Sequence, residues 1–354
     1  MQWSSTAWHK QQAYLAWPYL ILSLFYRGNH FSMTVIAELK NLVATDFERV
    51  NSQIRSQLQS QVARVENITD YITRAGGKRL RPLLTLLSAK LCGYDGDKHI
   101  DLAVAIEFIH TATLLHDDVV DLSELRRGLP TVNHQWNNAS SVLVGDFIYS
   151  RAFQLLVGIN HMPVMALMAE TTNQLAEGEV LQLSEAGNIN CSEAIYFDII
   201  QRKTAILFAA ALKSSALIAQ ASQITQQTLY DYGIHLGLAY QLTDDVLDYQ
   251  GDKKNLGKNI GDDLAEGKMT LPLIHLIATH PEHKSLLLEA IDSKESHFFE
   301  RIAHLLDSHG SLTYTQEQAK KQSALAQQTL KSLAPTPTRD ALNKLAKFAV
   351  TRIS

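Results

Sequence analysis

Two short acidic segments, HDDVVD at residues 116–121 and DDVLD at residues 244–248, decide how this sequence is interpreted. Both contain the spacing D-D-x-x-D, and both lie in stretches whose apolar residues recur at helical intervals. Residues four positions apart share one face of a helix, so Asp117 pairs with Asp121 and Asp244 pairs with Asp248. Like charges at this spacing destabilise a helix by a few tenths of a kcal/mol. Two such pairs therefore predict that the chain holds cations.

The residues around the two acidic segments indicate what the cations would bind. Carboxylate oxygens suit a hard cation such as Mg²⁺, which usually takes one or two carboxylates together with substrate phosphate oxygens. Leu114 and Leu115 precede the first segment, and Tyr240 to Leu242 precede the second, so both lie at the edge of apolar surface. This arrangement predicts a phosphorylated, amphiphilic substrate. The alternative is two solvated acidic faces, which the second copy and the apolar flanks disfavour.

Outward from these segments, helical periodicity runs through almost the whole chain after Met33. No run of strict alternation bounded by turn residues predicts a strand, and no linker or fixed repeat divides the chain. The pattern predicts one continuous helical segment over residues 34–72 and shorter helices beyond it. The predicted fold is all-α, a single-domain multi-helix bundle over residues 33–354.

Composition narrows the class of protein further. The 354 residues are 46% hydrophobic and 19% charged, as in ordinary globular proteins, and the net charge of −4 disfavours a general nucleic-acid binder. Cys92 and Cys191 form neither a zinc motif nor a disulfide framework. Two unclustered cysteines suit a reducing compartment, so we expect a cytoplasmic protein with both cysteines in the core.

Residues 1–32 form an N-terminal extension that we expect to lie outside the core. The run from Ala13 to Tyr26 is apolar and uncharged, but its 14 residues are fewer than the roughly 18 that span a bilayer. Pro18 interrupts it. A membrane-surface anchor and a secretory signal are the alternative interpretations, although no small-residue cleavage site follows.

Basic residues cluster beside glycines at several places. Arginine binds phosphate oxygens in a bidentate manner, lysine acts as a point charge, and glycine lets the backbone approach closely. Each cluster alone is as consistent with a surface patch as with a ligand site. The chain lacks a G-x-x-x-x-G-K-[ST] loop, which disfavours nucleotide phosphoryl transfer. The clusters are GGKRLRP (76–82), RRG (126–128), KT (203–204), and GKNIGDD with GK (257–268).

Taken in order, these elements resemble the trans-isoprenyl diphosphate synthases, and most of all the long-chain bacterial members of the octaprenyl type. The resemblance covers roughly residues 34–354. Leu122 stands where relatives often have an acid, Leu129 where lysine is usual, and Met269 where proline is common. The matching stretches are GGKRLRP (76–82), HTATLLHDDVVD (110–121), RRG (126–128), NNASSVLVGDFIYSRAF (137–153), AEGEVLQL (176–183), KTA (203–205), AYQLTDDVLDY (239–249) and GKNIGDDLAEGK (257–268).

The resemblance implies a helical bundle around a deep apolar cavity, with the acidic clusters facing each other across its mouth. Two or three Mg²⁺ ions would be held there by Asp117, Asp121 and Asp244, and the other catalytic side chains implied are Asp118, Asp245, Asp248 and Lys203. The residues implied to bind the allylic diphosphate are Arg126, Lys203, Thr204, Gln241, Lys258 and Lys268. Those implied to bind the diphosphate of isopentenyl diphosphate are Lys78, Arg81, His110 and Arg127.

The implied reaction is a sequential head-to-tail condensation of isopentenyl diphosphate onto an allylic diphosphate such as farnesyl diphosphate. Metal and basic side chains would stabilise the leaving diphosphate, and an apolar cavity would keep the allylic carbocation from water. Ala112 and Thr113 lie one helical turn before Asp117, beneath the metal site. Their small size predicts a long product. The resemblance implies about seven to ten isoprene units, with eight preferred, and a product that would supply a quinone side chain.

The resemblance also implies a homodimer, and a membrane-soluble product that would bring the enzyme to a membrane at product release. A synthase of another product length, or a non-catalytic subunit of a heteromeric prenyl synthase, is the alternative function, although such subunits tend to lose an acidic cluster or the arginine pair. A class I terpene cyclase would carry a different second metal motif, and a scaffold role would need neither cluster. His116 is interpreted as either a partner of Asp117 or a packed side chain, and Glu177 and Glu179 as helix-face residues.

Overall fold

The computed structural model of the chain describes residues 35–250, 261–293 and 296–351. The N-terminal extension of residues 1–32 and the predicted diphosphate ligand Lys258 lie outside the described residues. Within the described ranges the chain is helical apart from turns and one two-stranded hairpin, which confirms the predicted all-α class.

The first part of the chain contains eight helices and the hairpin. The hairpin strands are antiparallel, with Leu125 opposite Pro130 and Arg126 opposite Leu129. The elements are α1 (35–42), α2 (Ala44–Gln57), α3 (Ala63–Ala75), α4 (Leu80–Leu91), α5 (Lys98–Val120), β1 (Leu125–Arg126), β2 (Leu129–Pro130), α6 (Val132–Gln135), α7 (Asn138–Ile159) and α8 (Met162–Ser184).

The second part continues with helices alone. A π-helical turn, Gln201–Ala205, joins two of them end to end, and short 3₁₀ turns follow Thr279 and Thr329. The helices are α9 (Glu193–Ile200), α10 (Ile206–Ile218), α11 (Gln223–Gln250), α12 (Asp262–Ala265), α13 (Leu271–Thr279), α14 (Lys284–Ser293), α15 (Ser296–Ser308), α16 (Ser311–Thr329) and α17 (Pro337–Thr351).

The single helical segment predicted over residues 34–72 is wrong in its continuity. The structure breaks it at Val43 and again between Leu58 and Val62. At the second break the Ser60 hydroxyl accepts a hydrogen bond from the Val62 backbone N–H at 3.1 Å. A serine side chain that bonds the nearby backbone competes with the helix, which periodicity of the apolar residues does not register.

The larger core is built around α5, which packs along α7 and also contacts α4 and α10. By length and composition, α7 is the only helix of the described ranges apolar enough to cross a membrane. In the fold, its Val144, Ile148, Ala152 and Leu156 are buried in the larger core. The apolar composition of α7 is therefore used in part for helix packing within the bundle.

A second core lies beside the first and is shared by α9, the later turns of α11, α13 and α16. The backbone of the π turn lies very close to the backbones of α8 and α11. A Cβ on Gly178 of α8 would lie 2.9 Å from the Lys203 nitrogen, and one on Gly237 of α11 would lie 2.5 Å from the Ala205 Cα. Only glycine permits these approaches, which fix the π turn against both helices.

Candidate functional site

The first acidic cluster occupies the C-terminal end of α5, and cations from distant parts of the chain approach it. The Lys203 Nζ lies 3.9 Å from the Asp117 carboxylate. The Lys268 Nζ donates a hydrogen bond to Asp121 at 2.7 Å and also lies 2.6 Å from Glu266. Burial lowers the pKa of Lys268, but the surrounding carboxylates outweigh it and hold the net pKa above its ordinary value.

The third carboxylate of this cluster, Asp118, turns inward and is buried. Arg126 from the hairpin donates to one of its oxygens through Nε at 2.8 Å and through a terminal nitrogen at 2.7 Å. Burial raises the pKa of Asp118, and the ion pair with Arg126 works against that rise. Asp118 thus orients Arg126 at the edge of the cluster, rather than presenting its own oxygens to the cleft.

Burial dominates the electrostatics of Asp117. It raises the pKa of this carboxyl to about 7, while Lys203 pulls the pKa down and the carboxylates of Glu179 and Asp121 push it up. A nearby cation strongly stabilises the charged form of a buried carboxylate whose pKa is raised. This electrostatic state fits a group that binds a metal ion.

The second acidic cluster lies on the last turns of α11, and its middle carboxylate, Asp245, accepts hydrogen bonds from neutral donors. Asp244 is exposed, whereas Asp245 and Asp248 are buried. The Tyr196 hydroxyl donates to Asp245 at 2.5 Å, and the Gln241 amide donates to its other oxygen at 2.8 Å. Burial raises the pKa of Asp245 to about 7, and the carboxylate of Asp263 adds to the rise.

The two clusters border one cleft, because the same short segments reach both. The Thr204 hydroxyl donates to the Gln241 side-chain oxygen at 2.9 Å, while its neighbour Lys203 approaches Asp117. Lys268 follows the second cluster in sequence and contacts Asp121 of the first. The structure therefore brings together the acidic residues and the cations that the sequence analysis assigned to the allylic diphosphate, with Lys258 outside the described residues.

The donor set fits Mg²⁺ bound jointly with a phosphorylated ligand. Asp117, Asp121 and Asp244 offer carboxylate oxygens at this cleft, which is the chemistry that Mg²⁺ prefers. Across the described ranges, no three His, Cys, Asp or Glu side chains converge to form a metal cage. Mg²⁺ at this cleft would be held by these carboxylates together with the phosphate oxygens of a bound ligand.

Two of the four residues assigned to the second diphosphate lie between α3, α5 and the hairpin. His110 and Arg127 line a cavity of about 100 Å³ together with Arg79 and Glu107. Burial, reinforced by neighbouring arginines, lowers the pKa of His110 well below its ordinary value, so its imidazole is neutral. Lys78 is exposed and follows the turn that ends α3.

Arg81 occupies a different environment from the other members of this group. Its guanidinium lies over the Phe208 ring at 4.4 Å from the ring centroid. Burial lowers its pKa to about 10, against the opposing influence of Glu107 and Asp244. The cation is thus held on an aromatic face between the cavity and the second acidic cluster.

Four side chains that the sequence analysis did not assign contribute to the site. The Lys203 Nζ donates to Glu179 at 2.5 Å and to Gln182 at 2.8 Å, although Glu179 was interpreted as a helix-face residue. The three-residue spacing of these two on α8 was the available signal. No local sequence pattern identifies Tyr196 or Glu107 as site residues, because the groups they interact with lie far from them along the chain.

His116 faces α7, and the predicted floor residues Ala112 and Thr113 do not line the cavity beside His110. The His116 Nε2 lies 3.3 Å from the Val142 carbonyl oxygen and 3.4 Å from the Asp146 carboxylate, so it faces α7. Ala112 is fully buried, and the Thr113 hydroxyl donates to the His110 carbonyl at 2.9 Å. Neither lines the cavity beside His110, and their role in product length stays a prediction.

Comparison with known proteins places this geometry in context. The family model described as polyprenyl synthetase matches residues 62–307. Octaprenyl diphosphate synthase of Escherichia coli (strain K12) is 44% identical over 321 residues, which cover 90% of this chain and 99% of that protein. All-trans-nonaprenyl-diphosphate synthase (geranyl-diphosphate specific) of Rhodobacter capsulatus is 42% identical over 313 residues, covering 88% and 96%.

A solved structure agrees with these relatives. The polyprenyl synthase of Caulobacter crescentus CB15, crystallised with calcium and isoprenyl diphosphate, is 45% identical and superposes with a TM-score of 0.87. The match covers 90% of this chain and 98% of that one.

Proposed function

This chain belongs to the polyprenyl synthetase family and is a prenyltransferase, and we propose that it makes octaprenyl diphosphate. The reaction proposed is the Mg²⁺-dependent, repeated condensation of isopentenyl diphosphate onto an allylic diphosphate such as farnesyl diphosphate. The product would supply the side chain of a quinone. The similarity to the octaprenyl enzyme of Escherichia coli supports this length, and the similarity to a nonaprenyl enzyme sets the next alternative.

One observation carries the proposal: the two acidic clusters meet at one cleft with Lys203 and Lys268 already among their carboxylates. The lysines lie where the negative charge of the clusters is greatest. When a diphosphate binds together with metal ions, the metal ions can pair with the carboxylates. The lysines can then move from the carboxylate oxygens to the phosphate oxygens. The cleft is thereby built to bind an anion through cations, which is what a diphosphate leaving group needs.

The chain's own residues have two tasks in this reaction. Lys203, Lys268 and Arg126 neutralise the allylic diphosphate as its C–O bond to carbon breaks. His110 and Arg127 hold the second diphosphate, whose isopentenyl double bond forms the new C–C bond to the allylic carbon. The isopentenyl unit then loses a proton, which passes to the departing diphosphate. When bound, Mg²⁺ stabilises the negative charge that develops on that leaving group.

Product analysis tests this proposal directly. The purified full chain is incubated with Mg²⁺, farnesyl diphosphate and labelled isopentenyl diphosphate, and mass spectrometry sizes the products. A dominant product of eight isoprene units is expected, and a nine- or ten-unit product would keep the chemistry while overturning the length. If a folded sample condenses neither farnesyl nor geranyl diphosphate, the chain acts instead as a non-catalytic partner subunit.

We also propose that the chain forms a homodimer through α7 and α8. Large apolar side chains are exposed on both helices: Leu143 and Val157 on α7, and Val180 and Leu183, three residues apart, on α8. An exposed apolar stripe of this kind is typical of an interface. Sedimentation of the L143E/V157E variant should give a monomer where the wild type gives a dimer, and an unchanged dimer would contradict this assignment.

A further inference from the structure

Arg81 is a buried cation that lies on an aromatic ring. Its guanidinium carbon is 4.4 Å from the centre of the Phe208 ring. Phe208 in turn stacks on Tyr240, with ring centres 5.8 Å apart and ring planes at 25°. We propose that Phe208 is a positioning residue, whose ring holds the Arg81 guanidinium in place for the diphosphate of isopentenyl diphosphate. The inference rests on the proposed function and concerns only one of its two substrates.

The aromatic ring holds Arg81 in a different way from the other cations of the cleft. Arg126 bonds the Asp118 carboxylate through two nitrogens, and Lys268 bonds Asp121. A carboxylate that holds a cation also occupies N–H groups that a diphosphate would use. An aromatic ring instead attracts the charge through its quadrupole and covers one side of the guanidinium. Contact with a ring therefore fixes the cation without an acidic side chain that competes with the substrate.

The charge of Arg81 is compensated only in part by the chain. Burial lowers the pKa of Arg81 to about 10, although the carboxylates of Glu107 and Asp244 both raise it. Within the described ranges, no hydrogen-bond partner reaches its buried Nε. A guanidinium that has lost water and lacks a partner is stabilised by an incoming anion. The electrostatics of Arg81 thus point to an anionic ligand.

The charge of Arg81 also acts on the cavity assigned to the second diphosphate. Burial is the main reason for the lowered pKa of His110, and the charge of Arg81 is the next, ahead of Arg127. Burial raises the pKa of Glu107, which lines the same cavity, and Arg81 opposes this rise more than the other arginines do. Coulomb interactions weaken with distance, so the guanidinium lies close to this cavity.

Hydrogen bonds between α4 and α10 keep the guanidinium and the ring in register. The Ser88 hydroxyl donates to the Leu212 carbonyl at 2.7 Å, and the Ser215 hydroxyl donates to the Thr85 carbonyl at 2.8 Å. The cation belongs to the residue four positions before Thr85, and the ring to the residue four positions before Leu212. Each is one turn earlier on its own helix, so the same bonded contact between the two helices sets both.

Close packing of α10 on α11 fixes the ring from the other side. A Cβ on Gly233 of α11 would lie 2.4 Å from the Cα of Ala209, the residue after Phe208. Only glycine allows two helix backbones to approach this closely. Phe208 and Tyr240 are both buried, at 4% and 8% exposure. A cation held on so rigid a surface loses little conformational entropy when an anion binds.

Calorimetry of isopentenyl diphosphate binding tests the ring directly. The assigned ligands of this substrate are basic side chains, so the titration is done without Mg²⁺. Full-length wild type is compared with F208L and with a variant that carries 3,5-difluorophenylalanine at position 208. Fluorine weakens the negative potential of the ring face and barely changes its size. We expect F208L to raise Kd about tenfold and the difluoro variant to raise it a few-fold. In an R81A background, neither change should raise Kd further.

Y230L is the matched control for loss of a ring. The Lys213 ammonium lies 4.9 Å from the centre of the Tyr230 ring, and this pair also joins α10 to α11. Tyr230 is 14 residues before Asp244, about 21 Å along the helix. Y230L should therefore leave Kd unchanged. In condensation assays, F208L should raise KM for isopentenyl diphosphate while kcat and KM for the allylic diphosphate stay near wild type.

The outcomes separate positioning from packing. A difluoro variant that binds like wild type would overturn the inference, because the ring would then only fill space. Binding by F208L as tight as binding by Y230L would also overturn it, as would a wild type that does not bind isopentenyl diphosphate. A wild type whose binding depends on position 208 in the expected way, but which condenses nothing, would support the inference and contradict the proposed function alone.

Discussion

The two acidic clusters have the same D-D-x-x-D sequence, yet the fold gives their buried middle aspartates, Asp118 and Asp245, different kinds of partner. On α5, each carboxylate has a cation near it: Lys203 for Asp117, Arg126 for Asp118 and Lys268 for Asp121. On α11, the buried Asp245 is held instead by two neutral donors, which belong to Tyr196 and Gln241.

The difference shows that a shared motif does not imply a shared electrostatic role. The cations around the α5 cluster can move to a diphosphate, so this cluster is prepared for exchange of partners. The neutral donors around Asp245 keep its geometry without offering charge to a ligand. Substitutions that act on one cluster should therefore change different kinetic constants from those that act on the other.

The largest effect is expected when a carboxylate proposed to bind Mg²⁺ is removed from either cluster. D117N and D244N should each lower kcat by roughly 10²–10³-fold, because each removes charge that stabilises the leaving diphosphate through bound metal. Steady-state incorporation of labelled isopentenyl diphosphate measures the loss. D231N, at a half-buried acid earlier on α11, should remain near wild type. A D244N variant as active as D231N would show that the second cluster is not a metal site.

A smaller effect is expected from the neutral donor of the second cluster. Y196F removes the hydroxyl that orients Asp245 and should raise the Mg²⁺ concentration needed for half-maximal activity about tenfold, with excess Mg²⁺ restoring turnover. Y232F is the matched control, since Tyr232 is also fully buried and donates to the Leu342 carbonyl at 2.7 Å. If both variants need the same Mg²⁺, the Tyr196 hydroxyl has only a packing role.

A change of a few-fold is expected from the carboxylate that holds Lys203 beside the first cluster. E179Q weakens the 2.5 Å ion pair and should raise KM for the allylic diphosphate about fivefold with little change in kcat. E177Q is the control on the same helix, because Glu177 pairs with Arg202 rather than Lys203. Equal KM values for the two variants would remove Glu179 from the binding site.

The smallest effect concerns a carboxylate outside both clusters. Burial raises the pKa of Glu107, although Arg81, Arg79 and Arg127 oppose the rise. Stability from its protonated form is complete below the unfolded pKa and is lost as pH rises through the native pKa. The melting temperature of wild type relative to E107Q should therefore fall by a few degrees between pH 4 and pH 7.

The exposed Glu124 gives the control for this pH series. E124Q should follow wild type across the same range, since no buried carboxyl is changed. A melting temperature of wild type that rises relative to E107Q toward neutral pH would reverse the sign and show that the arginines dominate over burial at Glu107.

The all-helical class was predictable, because apolar periodicity extends over many residues and reports burial on one face. The placement of Asp244 and Asp248 could be predicted only in part from the sequence. Their spacing places them on one face of α11, but the structure exposes Asp244 and buries Asp248. That difference arises because the end of α11 passes into the second core, and no local pattern records where a helix enters a core.

The sequence by itself determined that two helices each carry paired carboxylates, that basic residues follow glycines near them, and that the chain is helical. These are local properties, fixed by spacing along one element. Only the tertiary structure decided which cation meets which carboxylate. Lys268 reaches Asp121 across 147 positions, and Tyr196 reaches Asp245 across 49. Such contacts depend on how helices pack against one another, and packing is settled by the shapes of all the buried side chains together.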